Sequence, residues 1–191
     1  MYKNVVNVLK ISGDIIDSFV AEGHRVADCT MGKGNDSLRL ARRVGDRGLV
    51  YAFDIQDLAL EKTRQRLEEA GLLDRVRLIK DGHENMARHI DESLDLIIYN
   101  LGYLPGGKKD LTTKYESSIR SMDQGLELLR EHGLMVIVAY IGHDGGLEGE
   151  RVEAYLEGLD QKDFNVLKYE FINQVNNPPR VYLVEKSGLG K

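Results

Sequence analysis

The chain has 191 residues, 42% of them hydrophobic and 30% charged, with one cysteine and a formal net charge of −5. That length suits one domain with a real core and is too short for two, and the acidic balance excludes a protein that grips a long stretch of nucleic acid, so any RNA or DNA contact is local. No apolar run approaches the ~18 residues of a membrane helix, the start lacks a secretory pattern, and the lone Cys29 excludes an internal disulfide; the expectation is a cytoplasmic protein with no membrane partner.

Residues 3–21 carry Val5, Val6, Leu9, Ile15, Ile16 and Phe19 mostly at helical spacing, so residues 1–24 read as a helical segment packed on a single domain spanning 1–191. "RVADCT" reads as a short buried strand, and "NDSLRLARRV" as a helix with Asn35 or Asp36 near its start. Strand "GLVYAFDI" and the amphipathic helix "QDLALEKTRQRLEEAGL", stopped at Gly71, follow. Next come strand "VRLIKD", a short helix "ENMARHI" and strand "LDLIIYN". Beyond the loop "NLGYLPGG" lie a helix from Tyr115 to Glu131, strand "GLMVIVAYIG", and a helix from Leu147 to Leu159. "FNVLKYEFIN" and "RVYLVEK" are two last strands without a helix between them.

Strands alternating with helices imply an α/β domain with a mostly parallel sheet covered on both faces. The last two strands leave no room for a crossover, so they pair as an antiparallel hairpin. A dinucleotide-binding domain would continue with another crossover. A Rossmann-like, mostly parallel seven-stranded sheet ending in an antiparallel hairpin resembles class I S-adenosylmethionine methyltransferases.

In the first crossover, Asp28-x-Thr30-x-Gly32-x-Gly34 resembles the methyltransferase loop of acid-x-Gly-x-Gly-x-Gly, with Thr at the first glycine. Glycines there allow a sharp turn and close approach of a ligand, although a tight turn without ligand has the same signature. Asp54, at the end of the second strand, can accept hydrogen bonds from both ribose hydroxyls of a nucleoside. Helix capping is its alternative task, but Asp57 is better placed for that. Asp81, ending the third strand, can accept from an adenine amino group, and Gly82 permits a close approach. His83 either faces the ligand or caps the following helix. The cofactor set is therefore Asp28, Thr30, Gly32, Gly34, Asn35, Asp36, Asp54, Ile55, Gln56, Asp81, Gly82, His83, Asn100 and Leu101. No two of the five histidines sit at a recognisable ligand spacing, so no metal is expected.

Ligands of open parallel sheets bind outside the carboxyl ends of the strands, where the fourth strand delivers Asn100. Asn-Leu-Gly-Tyr resembles the Asn-Pro-Pro-Tyr type of loop in methyltransferases that act on nitrogen. A nucleophilic amine must aim its lone pair at the methyl group, so an Asn carbonyl can take an N–H and fix the attack line. Tyr103 can wall or stack on the target, while Pro105, Gly106 and Gly107 shape the loop. His143, just past the fifth strand, can help to take a proton or is structural. The catalytic candidates are Asn100, Tyr103 and His143. Lys108, Lys109 and Lys114 are either a phosphate track or a solvated face, and Asn176, Asn177 and Pro178 with Arg180 either read a base or shape the hairpin turn.

"DCTMGKGNDS", "DGHENM", "NLGYLPGG", "YIGHDGG" and "NQVNNPP", in that order over nearly the whole chain, resemble a small bacterial family. It was long labelled as rRNA methylases and later assigned as tRNA 5-(aminomethyl)-2-thiouridine methyltransferase. The resemblance implies methyl transfer from S-adenosylmethionine to the aliphatic amine of the tRNA wobble uridine, giving S-adenosylhomocysteine and a 5-methylaminomethyl group. It also implies contact with the tRNA anticodon region and a homodimer. "GGKKD" departs from the family pattern, in which an acid stands sooner. A different amine acceptor (a base of rRNA or DNA, or a small molecule) and a nucleotide-binding module without catalysis are the competing readings.

Overall fold

The computed structural model describes residues 3, 7–102, 113–140, 146–175 and 177–188. Among the described residues, five α-helices and seven strands follow one another as α1 (Val8–Phe19), β1 (Arg25–Asp28), α2 (Asn35–Val44), β2 (Leu49–Phe53), α3 (Asp57–Glu69), β3 (Val76–Ile79), β4 (Leu94–Leu101), α4 (Tyr115–Leu128), β5 (Leu129–Ala139), α5 (Leu147–Glu157), β6 (Phe164–Tyr169) and β7 (Arg180–Lys186).

The seven strands form one sheet in the order β3-β2-β1-β4-β5-β7-β6. β1 pairs in parallel with β2 and β4, β2 with β3, and β4 with β5, whereas β7 lies antiparallel to both β5 and β6. The chain winds outward from β1 to β3 and then returns to lay β4 on the other side of β1. The strand order therefore reverses between β1 and β4, whose adjacent carboxyl ends form the switch point at which open α/β sheets take their ligands.

The alternation of side chains along each strand divides the core in two. Ile97 and Tyr99 of β4 join Met122 and Leu126 of α4 and Val152 and Leu156 of α5 on one face. Leu96 and Ile98 join Ile16 of α1, Leu40 and Val44 of α2 and Leu67 of α3 on the other. α1 is capped by Asn7, whose side chain accepts the Lys10 N–H at 2.9 Å.

Three expectations change. The sequence "LLREHGL" suits a helix, yet α4 stops at Leu128 and β5 starts at once. Register slips between Leu94 and Leu96 of β4, so that Leu96 faces Leu134, and His132 takes a positive φ of 58° there. Pairing with β4 thus overrides helix propensity. "ENMARHI" forms a 3-10 turn over His83–Arg88. β6 ends at Tyr169, before the expected Asn173.

Candidate active site

β1 ends at Asp28, which is 1% exposed. Its Oδ1 accepts the Thr30 N–H at 3.2 Å and its Oδ2 accepts the Ser37 hydroxyl at 2.6 Å. Burial, and then the charge of Asp36, push this carboxyl up to about 7. The two hydrogen bonds fold the first crossover back onto its own strand. Gly32 and Gly34 take positive φ values of 51° and 74° in that turn, and Gly34 caps α2. A Cβ on Gly34 would lie 2.8 Å from Thr63, so the turn also packs directly on α3.

Asp54 follows β2 and holds the turn from the other side. Its Oδ2 accepts the Gly32 N–H at 3.1 Å and its Oδ1 the Gln56 N–H at 3.0 Å. Burial raises its pKa above the usual carboxylate value. Asp57 is not the cap of α3: Gln56 occupies that position, and Asp57 pairs with Lys80 at 2.5 Å. Ile55 stands 54% exposed beside Asp54, an apolar rim for a flat ligand. Asn35 is turned outward, its Oδ1 accepting from Arg66.

Asp81 satisfies its own turn, with Oδ1 accepting from Gly82 N at 2.8 Å and Asn85 Nδ2 at 2.9 Å, and Oδ2 meeting His89 Nε2 at 2.8 Å. The bond from His89 and that from Asn85 hold its carboxyl below the ordinary range. His83 makes no capping bond; Gly82 is the cap residue. The His83 ring is buried edge-on to Tyr99 at 5.8 Å, burial lowers its pKa, and its Nδ1 has no hydrogen-bond partner among the described residues. Leu101 is fully buried in the core, so only its backbone faces the strand edge.

Asn100 is fixed twice. Its N–H donates to Thr30 Oγ1 at 2.7 Å, and its Nδ2 donates to Asp36 Oδ2 at 2.8 Å. Its Oδ1 is buried without a hydrogen-bond partner among the described residues. Burial raises the carboxyl of Asp36, against the lowering effect of the Asn100 bond.

Lys114 caps α4 and Asn177 takes a positive φ of 48°, but neither enters this constellation through a hydrogen bond described above. Pro178 precedes β7 in the stretch that carries Asn177. Tyr103, Pro105, Gly106, Gly107, Lys108, Lys109, His143 and Asn176 lie outside the described residues. Sequence reasoning missed three participants. Ser37 is the second partner of Asp28. Tyr140, just past β5, donates its N–H to Leu101 O at 3.3 Å, and its pKa is raised by burial and by the charge of Asp36. Glu148 accepts from Thr113 at 2.6 Å and Ser118 at 2.7 Å, and Thr113 in turn accepts the Gly102 N–H at 2.9 Å. Only Tyr140 left a local signal, as an aromatic ending an apolar strand.

The arrangement suits a cationic nucleoside. Asp54 keeps carboxylate lone pairs beyond those that hold the turn, the glycines bend the backbone tightly at the carboxyl edge, and the neighbouring carboxyls of Asp28 and Asp36 raise each other's affinity for positive charge. No group of three or more metal-ligating side chains occurs among the described residues.

Sheet order, hairpin and carboxyl-edge constellation define the class I S-adenosylmethionine-dependent methyltransferase fold. Residues 50–185 match the family described as "Putative rRNA methylase", and the chain belongs to that family. It is 34% identical over 181 residues to the chloroplastic tRNA (mnm(5)s(2)U34)-methyltransferase of Arabidopsis thaliana, covering 89% of this chain and 66% of that protein. It thus spans slightly under two thirds of that relative's length. Among solved structures, a protein of Clostridium thermocellum described as a "putative rRNA-methylase" shares 44% identity with a TM-score of 0.93, covering 96% of this chain and 100% of the other. A protein of Streptococcus mutans described as "a putative methyltransferase" and solved in complex with SAH shares 33% identity with a TM-score of 0.85, over 97% and 99% of the two chains.

Proposed function

We propose that the protein methylates nitrogen, converting 5-aminomethyl-(2-thio)uridine to 5-methylaminomethyl-(2-thio)uridine at the wobble position of tRNA. The observation that carries this reading is the buried, unpartnered Oδ1 of Asn100 at the carboxyl edge of β4. A buried acceptor left without a donor costs roughly 1–3 kcal/mol, so a site keeps one where a ligand supplies the donor. A primary amine has such a donor. S-adenosylmethionine brings an activated methyl group on a sulfonium. Asn100 takes one N–H of the amine and so aims the lone pair along the methyl–sulfur bond. The nitrogen–carbon bond forms as the carbon–sulfur bond breaks, and the electron pair of that bond stays on sulfur. The amine attacks only when neutral, and its proton leaves to solvent or to a base.

The acceptor assignment draws support from the likeness to the Arabidopsis enzyme. In this reading the protein acts on the tRNA anticodon region as a cytoplasmic homodimer, with Lys114, Asn177 and Pro178 on the substrate side. The test is methyl transfer from labelled S-adenosylmethionine to bulk tRNA that carries unmethylated aminomethyluridine, followed by nucleoside mass analysis. Label in 5-methylaminomethyl-2-thiouridine is the expected result. Absence of label from a protein that binds S-adenosylhomocysteine would overturn the acceptor assignment.

A further inference from the structure

The amide of Asn100 has two ends of nearly equal size, and only one of them can accept a hydrogen bond. Left alone, the group could present either end to a substrate. One contact removes that freedom. Thr30 Oγ1 fixes the backbone by accepting the Asn100 N–H at 2.7 Å, and Asp36 Oδ2 accepts from the side-chain Nδ2 at 2.8 Å. An oxygen that accepts this bond selects the NH2 end of the amide. The opposite end, Oδ1, is then turned away from Asp36 and is the atom found buried without a partner among the described residues.

We propose that Asp36, from the first turn of α2, is a positioning residue that locks the Asn100 amide with its oxygen toward the substrate, so that the methyl acceptor must donate a hydrogen bond to it. This rests on the nitrogen-methylation reading and deepens it. Asp36 acts at one remove, through Asn100, and touches no reacting atom. Its contact spans 64 positions of sequence, from α2 to β4. The helix that follows the glycine turn thereby sets the chemistry of the fourth strand's edge. A carbon nucleophile has no strong donor to offer, whereas an amine can give one N–H to the fixed carbonyl and keep its lone pair for the methyl group.

The pair Asp36→Ala and Asp36→Glu tests this, because the glutamate keeps a carboxylate that can accept from Asn100 Nδ2. Two readouts are taken in the presence of S-adenosylhomocysteine or of labelled methyl donor and aminomethyluridine tRNA. The first is the side-chain amide resonance of Asn100 in nitrogen-15-labelled protein, assigned by its loss in Asn100→Ala. It should move in Asp36→Ala and return toward the wild-type position in Asp36→Glu. The second is the split between kcat and KM. Asp36→Ala should lower kcat at least tenfold, with the dissociation constant of S-adenosylhomocysteine within threefold of wild type, and Asp36→Glu should regain part of that loss. An Asn100 resonance that stays put in Asp36→Ala would overturn the proposal whatever the acceptor. So would an Asp36→Glu variant that restores the resonance yet stays as slow as Asp36→Ala, since the orientation of the amide would then not set the rate. If the wild type leaves the tRNA unmethylated while the resonance responds as expected, the acceptor assignment falls and the orienting contact stands.

Discussion

Asp54 Oδ2 accepts the backbone N–H of Gly32 at 3.1 Å, so the carboxylate leaving β2 is fastened to the turn leaving β1. One side chain thus shapes the glycine turn and still has lone pairs for a ligand. Replacing it with alanine removes both. Asp54→Ala should weaken S-adenosylhomocysteine binding by roughly tenfold to a hundredfold, in line with the value of hydrogen bonds to a charged group. Calorimetric titration reads this directly. An unchanged dissociation constant would show that the ribose sits elsewhere.

Asn100→Ala separates binding from chemistry. Truncation deletes the acceptor that the proposed mechanism assigns to the amine but leaves the glycine turn and Asp54 in place. We expect kcat to drop by roughly a hundredfold, the order seen when one preorganised hydrogen-bonding group is removed from an active site. Cofactor affinity should stay within about threefold. Wild-type turnover in this variant would remove the basis for reading the site as nitrogen-directed.

Gly34→Ala tests the turn itself. Its φ of 74° disfavours any side chain, and a Cβ would lie 2.8 Å from Thr63. Left-handed strain of about 1–2 kcal/mol adds to overpacking of about 1–3 kcal/mol. The melting temperature should fall by several degrees and S-adenosylhomocysteine binding should weaken with it. A variant as stable as wild type would mean that the turn tolerates another conformation.

The buried Asp28 makes a pH prediction. Its carboxyl ionises near 3.8 when free and is pushed up to about 7 in the fold. Between those values the folded state keeps a proton that the unfolded chain has lost. The stability from this group is therefore full below about pH 4 and is lost as pH rises through about 7. Asp28→Asn keeps an oxygen for Thr30 and an NH2 for Ser37 without the charge. In denaturant titrations of the cofactor-free protein, the variant should match wild type near pH 4. Above pH 7 it should exceed wild type by up to about 4 kcal/mol, because each tenfold change in proton affinity between the folded and unfolded chain is worth about 1.4 kcal/mol. Parallel pH profiles for the two proteins would contradict the assignment.

Local chemistry explains which parts of this site were legible in the sequence. The glycine turn and Asp54 act within a few residues of their own strand ends, so spacing alone located them. Asn100 was placed by its position at the end of an apolar run. The partnership of Asn100 with Asp36 was not legible, because only the return of β4 beside β1 brings the two together. The strand-end position of Asp81 suits an adenine acceptor, while its bonds from Asn85 and His89, which spacing does not announce, hold the turn that follows β3. The start of β5 at Leu129 was hidden by residues that suit a helix, and strand pairing decided the outcome. The hairpin of β6 and β7 was readable because too few residues separate them for anything else.

Thr113 donates its N–H to Gly102 O at 3.0 Å while its hydroxyl, held by Glu148, accepts the Gly102 N–H at 2.9 Å. Gly102, just past β4, and Thr113, just before α4, are thereby pinned together. Whatever sequence runs between them, its ends are already brought together, and closing the span adds little entropic cost when its length changes. Such a segment can be exchanged, lengthened or shortened over evolutionary time while the methyl-donor side stays intact. Divergence toward new acceptors would then begin between these two residues, with the Thr113–Glu148 clasp as the fixed frame.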